Sequence, residues 1–436
     1  MRSCFKPSVL CVLFVAWVAA AAPVDGQERF HRGVYIGYSD SILQVKLARP
    51  TIVQDVMRSL KANGVTHVWT TNGPDTLSTV TEFVTAAKAN GIETTIGSGL
   101  WYAPSPGTAA EKYDRILSLW NALPKAARPD RFGLADEPAP SDLAQLSDLA
   151  SRCKAAGIST AAVSVPYYFA QTAAAAGASL DYLGSDPYPF YAPNLPSGAP
   201  TGSRSLTYAI NSYRDAVQGH ARPLLFPQGF QQHSGPARQE ADGSVTLLPG
   251  SRRFLLMPTK AEMTWQIYAS AFAGGKGAYV FAYGLGHVWI PNPAAPASDD
   301  PNHGPLITTE TSTGGPATLV SFPQYQGGSQ LQGMTEAYTA LQRVETILPA
   351  LVPEATLSVA MANAGDLAVT RRHLVTGKRY LCVVSDPQKP TRNLYLFIPN
   401  SVRTPINLTS QTASFHWFGH FFVTLPAGTG GVWELP

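Results

Sequence analysis

Two adjacent carboxylates, Asp136 and Glu137, stand in the segment Leu134-Ala135-Asp136-Glu137-Pro138, directly after an apolar run that reads as a buried strand over 131–135. Pro138 ends that strand, and an amphipathic helix is expected over 142–156 with Ser141 as its N-cap. A carboxylic acid half removed from water beside a second carboxylate holds its proton near neutral pH and can pass it to a leaving oxygen. Cleavage of a glycosidic bond needs that step. An acidic pair can also merely complement a helix dipole, but here the pair precedes the helix by several residues and Ser141 supplies a cap.

The elements that must hold these groups follow from periodicity. From 30 to 348, short β-branched or aromatic runs alternate with longer helical patterns, the signature of a parallel sheet with crossover helices. Strands are expected at 33–38, 65–70, 93–97, 131–135, 159–164, 182–185, 224–228 and 278–283. Helices are expected at 53–62, 77–90, 109–122, 142–156, 168–176, 206–217, 260–273 and 334–348. Three helices end alike, in Ala62-Asn63-Gly64-Val65, Ala89-Asn90-Gly91-Ile92 and Ala155-Ala156-Gly157-Ile158, where a left-handed residue turns the chain into the next strand. Eight such units close as a TIM barrel, whose active sites lie at the C-terminal strand ends. An open doubly wound sheet is the rival, but no Gly-rich phosphate fingerprint follows the first strand.

After Pro353 the helical signal stops, and short alternating strands at 356–361, 367–374, 379–385, 393–398, 416–425 and 431–435 predict a small antiparallel β-sandwich. The expected organisation is therefore a signal peptide over 1–26, an α/β barrel over 27–350 and a C-terminal β-sandwich over 351–436. Arg2 and Lys6 precede the apolar run 9–22, which ends in small residues and is shorter than the roughly 20 needed to span a bilayer. A secreted or periplasmic chain is the reading, with no membrane contact after cleavage between Gly26 and Gln27. Cys153 and Cys382, the two cysteines beyond the leader, read as buried small hydrophobes and not as a disulfide. Asn407-Leu408-Thr409 is a glycosylation acceptor only in a eukaryotic setting.

With these elements placed, several segments resemble TIM-barrel glycoside hydrolases of the broad clan whose acid/base glutamate ends the fourth strand. They are Asp136-Glu137-Pro138, Leu183-Gly184-Ser185-Asp186-Pro187-Tyr188-Pro189 at the sixth strand, Pro227-Gln228-Gly229-Phe230 at the seventh, and the stretch from Trp265 to Tyr283 leading into the eighth. The resemblance implies that Glu137 is the general acid/base. It also implies a glutamate nucleophile ending the seventh strand, where this chain has Gln228. Three candidates for the second group stay open. Asp186 could activate water for inversion; Asp136 could orient a substrate acetamido group that itself attacks the anomeric carbon; or Glu240 or Asp242 could fold in from the loop after the seventh strand.

Sugar rings present apolar faces to aromatic side chains and hydroxyls to polar ones, so Tyr35, Trp69, Trp101, Tyr102, Tyr188, Gln228, Tyr283 and Trp289 are the candidate substrate-binding residues. The long segments 231–257 and 284–330 both follow strands on the catalytic face and are expected to wall the cleft. Shortening 291–316 is expected to weaken substrate capture while leaving the fold intact. The expected partner is an oligo- or polysaccharide. With 32 basic and 29 acidic residues and a formal charge of +3, or 30 against 28 after loss of the leader, nothing suggests nucleic acid. No metal or cofactor is expected, because the histidines are scattered and no Cys-x-x-Cys pair or Gly-x-Ser-x-Gly elbow is present. A competing class, prompted by Gln228, is a non-catalytic carbohydrate-binding barrel.

Overall fold

The computed structural model describes residues 28–38, 42, 50–192, 200–220, 222–230, 232–234, 237–239, 245–247, 249, 252–281, 329–354, 363–390, 392–397, 405–409, 414–417 and 420–435. Eight parallel strands close on themselves: β1 (His31–Gly37), β2 (His67–Thr71), β3 (Glu93–Gly97), β4 (Arg131–Asp136), β5 (Thr160–Ser164), β6 (Tyr182–Ser185), β7 (Pro223–Leu225) and, after four short strands, β12 (Gly277–Phe281). Each pairs with its neighbour in chain order, and β12 closes the ring against β1 with Val34 opposite Val280. The helices are α1 (Ile52–Ala62), α2 (Leu77–Ala89), α3 (Ala109–Ala122), α4 (Leu143–Ala155), α5 (Phe169–Ala176), α6 (Ser203–Gly219), α7 (Lys260–Ala273) and α8 (Ser329–Gln342).

Local chemistry sets the boundaries. Thr108 and Thr259 cap α3 and α7 reciprocally with Glu111 and Glu262, which satisfies otherwise orphaned N–H groups. Gly64 and Gly91 adopt φ of +79° and +66° just past α1 and α2, a conformation that a Cβ would disfavour. The expected Ser141 cap is corrected. Residues Pro140–Asp142 form a short 3-10 turn, and Asp142 reaches back to the Ala139 N–H at 3.0 Å. The last helix also starts and ends earlier than its periodicity suggested.

Inside the barrel, Tyr35, Trp69, Ala161, Val163, Tyr182, Leu224, Phe226 and Tyr279 form one packed cluster. Large rings fit there because neighbouring strands offer glycine: a Cβ on Gly33 would lie 2.4 Å from the Tyr279 ring, and one on Gly184 2.3 Å from Phe226. Such close approach is the reason for glycine within a strand. The barrel is therefore filled, not hollow.

Between β7 and α7 the chain makes two small antiparallel ladders, from β8 (Gln232–Ser234) with β11 (Arg252–Leu255) and from β9 (Ala237–Gln239) with β10 (Val245–Leu247). Past the barrel, β13 (Leu351–Pro353), β14 (Leu367–His373), β15 (Arg379–Val384), β17 (Ile406–Asn407) and β20 (Gly430–Glu434) build one antiparallel sheet, while β16 (Arg392–Phe397), β18 (Ser414–Trp417) and β19 (His420–Leu425) build another. Leu381, Val383, Phe421, Val423, Leu425 and Trp433 fill the space between the two sheets. The opposite face of the larger sheet joins the main core through Cys382, Val384 and Val432. Arg371 fastens it to the barrel by donating to the carbonyls of Phe272 and Ala273 at 2.7 and 2.8 Å, where a helix C-terminus favours a cation. Cys153 and Cys382 are free, buried thiols.

No helix among the described residues is long and apolar enough to cross a membrane. The expected leader, the strand at 356–361 and the segment 291–316 lie outside the described residues.

Candidate active site

The C-terminal mouth of the barrel is shaped by an irregularity in β4. Gly133 pairs with Ala161 but Ala135 pairs with Ala162, so Leu134 is an extra residue, a β-bulge. Its effect is decisive because side chains alternate along a strand. Without the bulge, Arg131, Gly133, Ala135 and Glu137 would share the inner face. With it, Asp136 comes into register with the interior residue Val163, and Asp136, not Ala135, points inward. The chain then turns at Glu137, whose φ is +49°, while the Glu137 N–H still bonds the Val163 carbonyl at 3.0 Å. A non-glycine residue held there stores strain, as functional positions often do. Bulge and turn together bring both carboxylates of the Asp-Glu pair to the mouth.

Asp136 is half-buried and accepts a 2.6 Å hydrogen bond from the Tyr35 hydroxyl. Burial first, and then the charge of Glu137, push its carboxyl up to about 7, against a smaller opposing effect of the Tyr35 bond. Asp186, just past β6, is buried, and its carboxyl lies within hydrogen-bonding reach of Glu137. Burial, the Glu137 charge and that contact raise Asp186 well above the usual carboxylate range. Two carboxyls this close cannot both ionise cheaply, so the buried Asp186 is the one that keeps its proton. Tyr188 stands beside Asp186, its phenol raised by burial and by the neighbouring carboxylates. Glu137 is the exposed member of the trio.

The predicted residues thus divide. Tyr35, Tyr102 and Tyr188 gather around the carboxyls: Tyr102 is 3.4 Å from the Thr71 hydroxyl and feels the charge of Asp136, and Tyr188 packs edge-on to Phe230 at 4.9 Å. Trp69 and Trp101 are core residues. Trp69 is enclosed by Tyr35, Phe226 and Tyr279, and Trp101 is buried against Phe132 with its indole N–H on the Gly133 carbonyl at 3.1 Å. Neither offers a ring face to a ligand.

Gln228 is corrected in the same way. Wholly buried, its side-chain carbonyl accepts from the Phe190 N–H at 3.2 Å, and its amide donates to the carbonyls of Phe230 and Leu256 at 2.9 and 2.7 Å. Its backbone exchanges two further bonds with the Gln266 side chain. This position clamps three loops together, and no polar atom of its side chain remains for substrate. Tyr283, Trp289, Glu240 and Asp242 lie outside the described residues.

Sequence reasoning passed over Tyr167 and Tyr168. They follow β5 in a 3-10 turn (Pro166–Tyr168) on the same rim, and Tyr167 is 71% exposed. The available signal was an aromatic doublet immediately beyond a strand end.

At the opposite end of the barrel, His31, His67 and Glu93 bring potential ligand atoms within 4.8 Å of one another. Two features speak against a cation there. The imidazoles are stacked at 3.7 Å and 16°, so their in-plane lone pairs run nearly parallel and do not converge on one point. Arg131 also holds the Glu93 carboxylate at 2.6 Å, already placing a positive charge on it. The group reads as a buried polar floor: His31 meets the Tyr279 hydroxyl at 3.0 Å, and His67 meets Thr66 Oγ1 at 2.7 Å.

No family model and no curated protein matches this sequence. Among solved structures, the α-amylase of Geobacillus thermoleovorans in complex with acarbose aligns with a TM-score of 0.52 at 9% identity, over 94% of this chain and 98% of that one. An Anoxybacillus α-amylase gives the same four values, and AmyP in complex with maltose gives 0.51 at 10% identity over 88% and 89%. The likeness is one of fold. This chain has a TIM barrel followed by a C-terminal β-domain, and it shares its overall fold with those proteins over most of both lengths, at identity levels that carry no residue assignments across.

Proposed function

We propose that this protein is a glycoside hydrolase in which Glu137 is the general acid. The observation that carries the reading is the convergence of Asp136, Glu137 and Asp186 at the C-terminal mouth of a filled barrel, the place where this architecture puts its chemistry. One member is exposed, and two have carboxyls driven toward the protonated state. Groups with pKa values displaced by burial and by like charge are the raw material of acid catalysis. Glu137 protonates the glycosidic oxygen as the bond breaks, and Asp186, in contact behind it, is a positioning residue that shares and returns the proton. The solved structures of the same fold include complexes with acarbose and maltose, which supports a carbohydrate as the ligand here. The leader over 1–26 supports export, and the barrel over 27–350 is the catalytic unit of this proposal, with residues 351–436 buttressing α7.

The closeness of Glu137 to Asp186, near enough to raise the Asp186 carboxyl, disfavours Asp186 as the base of an inverting reaction, which needs carboxyls about 6.5–9.5 Å apart to admit water. It favours the second reading, substrate assistance on a 2-acetamido sugar. There the acetamido oxygen attacks the anomeric carbon as Glu137 gives its proton to the leaving oxygen, Asp136 takes the developing positive charge on the amide nitrogen, and water then opens the ring with Glu137 as base. The Tyr35 bond fixes Asp136 for that task.

Profiling wild type and Glu137→Gln on a broad set of glycans tests the main reading: turnover by wild type and a loss of at least a hundredfold in the variant are expected. Equal rates would remove Glu137 from the mechanism. Binding without turnover on every glycan would instead identify a carbohydrate-binding barrel. Early-time NMR of the product anomer separates the mechanisms, since an inverted product rules out acetamido participation.

A further inference from the structure

We infer that Tyr167 is the stacking platform for the sugar ring that lies against the Glu137–Asp186 pair, covering an apolar C–H face of that ring. This rests on the glycosidase reading and names a binding residue of that same site. In the ring of strands, β5 lies between β4 and β6. The turn after β5 therefore stands between Glu137, at the end of β4, and Asp186, at the end of β6. Both carboxylates act on the Tyr167 phenol.

The turn is built to hold this ring outward. Pro166 opens it with a preset φ, the Tyr168 N–H closes it on the Val165 carbonyl at 3.0 Å, and the next residue, Phe169, is buried at 2% as the first residue of α5. With Phe169 anchored inward, Tyr167 faces solvent. Tyr168, half-buried, supports it edge-on at 4.6 Å and 67°. Of the described aromatic side chains, Tyr167 is the most exposed, and a rigid ring left in water beside a carboxyl cluster loses little freedom when an apolar face covers it. By contrast, the indoles that sequence alone would nominate, Trp69 and Trp101, are enclosed.

The test uses the Glu137→Gln protein, which holds substrate without cleaving it, titrated calorimetrically with chitohexaose, cellohexaose, mannohexaose and maltohexaose. Adding Tyr167→Ala should weaken the binding of whichever hexaose is held by about three- to tenfold, and Tyr167→Phe should restore it. In the catalytically intact protein the same change should raise KM and leave kcat within about twofold, the mark of binding made equally in ground and transition states. Unchanged affinity in Tyr167→Ala, with cleavage by wild type intact, overturns the platform and leaves the glycosidase standing. A failure of wild type to bind or cleave any of the four, and any glycan of the broad set, overturns both. Circular dichroism of Tyr167→Ala verifies the fold, which an exposed side chain on a proline-set turn should not disturb.

Discussion

A half-buried carboxyl titrating near neutrality links the chemistry of the site to the stability of the fold. Asp136 is raised from 3.8 to about 7, so its protonated form is the one the folded state favours. Its contribution is fully present below pH 3.8 and is lost as pH rises through about 7. Asp136→Asn should therefore match wild type in melting at pH 4 and exceed it at pH 8 by about 2–3 kcal/mol, allowing for partial contact with water. Melting curves at the two pH values check this, and an equal difference at both would mean that Asp136 is not the group being titrated. Gln228 carries the opposite lesson about identity at a site. A carboxylate there would face the carbonyls of Phe230 and Leu256, which now receive its amide protons. Gln228→Glu should cost about 2 kcal/mol or more at pH 8 by denaturant titration, with part of the deficit regained at pH 4, where a protonated Glu can donate once. A gain of activity without a loss of stability would show that the position tolerates a nucleophile after all.

At the scale of one element, the end of β4 couples strain to function. The extra residue Leu134 rotates the strand by one side-chain step, and Glu137 absorbs the turn at a φ of +49°. Glycine accepts that conformation without the penalty a Cβ brings. Glu137→Gly should accordingly stabilise the protein by about 1 kcal/mol while abolishing turnover, whereas Glu137→Gln, with the same backbone cost, should stabilise it less. Paired urea unfolding of the two variants measures the difference. If glycine proves no better than glutamine, the turn is not where strain resides.

For the whole barrel, the two ends answer differently to acid. His31 is lowered well below 6.5 by burial, then by His67, Arg131 and Arg222, and His67 is lowered by burial against the opposing pull of Glu93. Arg131 and Arg222 also face this floor through the Tyr182 ring, with guanidinium carbons 4.7 and 5.5 Å from its centre. For groups with depressed pKa values the neutral form suits the fold, so stability is present above pH 6.5 and is lost as pH falls through the folded values. Between pH 7 and 5 wild type should lose melting temperature relative to His31→Phe, because the opposite contribution of Asp136 at the other end of the barrel is common to both proteins. An unchanged slope in the variant would place the acid sensitivity elsewhere. Glu93, held at about 2 by His67 and Arg131 against a desolvation that opposes them, keeps its own contribution throughout that range and begins to lose it only below 4.5.

What the sequence determined by itself was everything governed by short-range periodicity. Eight alternations of apolar run and amphipathic helix specify a closed parallel barrel, α3 and α7 fall where their patterns put them, and the glycines after α1 and α2 announce the returns to the sheet. The Asp136-Glu137 pair was visible because acids at a strand end need a reason to be there. What only the tertiary structure decided depends on contacts between distant segments and on a single extra residue. A bulge at Leu134 leaves no mark in a period-two pattern, yet it selects which acid faces Tyr35 and which meets Asp186. Burial of Trp69 and Trp101, the clamp formed by Gln228 and the exposure of Tyr167 follow from how neighbouring strands and loops fill three-dimensional space. An aromatic or amide side chain has the same propensity in core and cleft, and only packing separates the two.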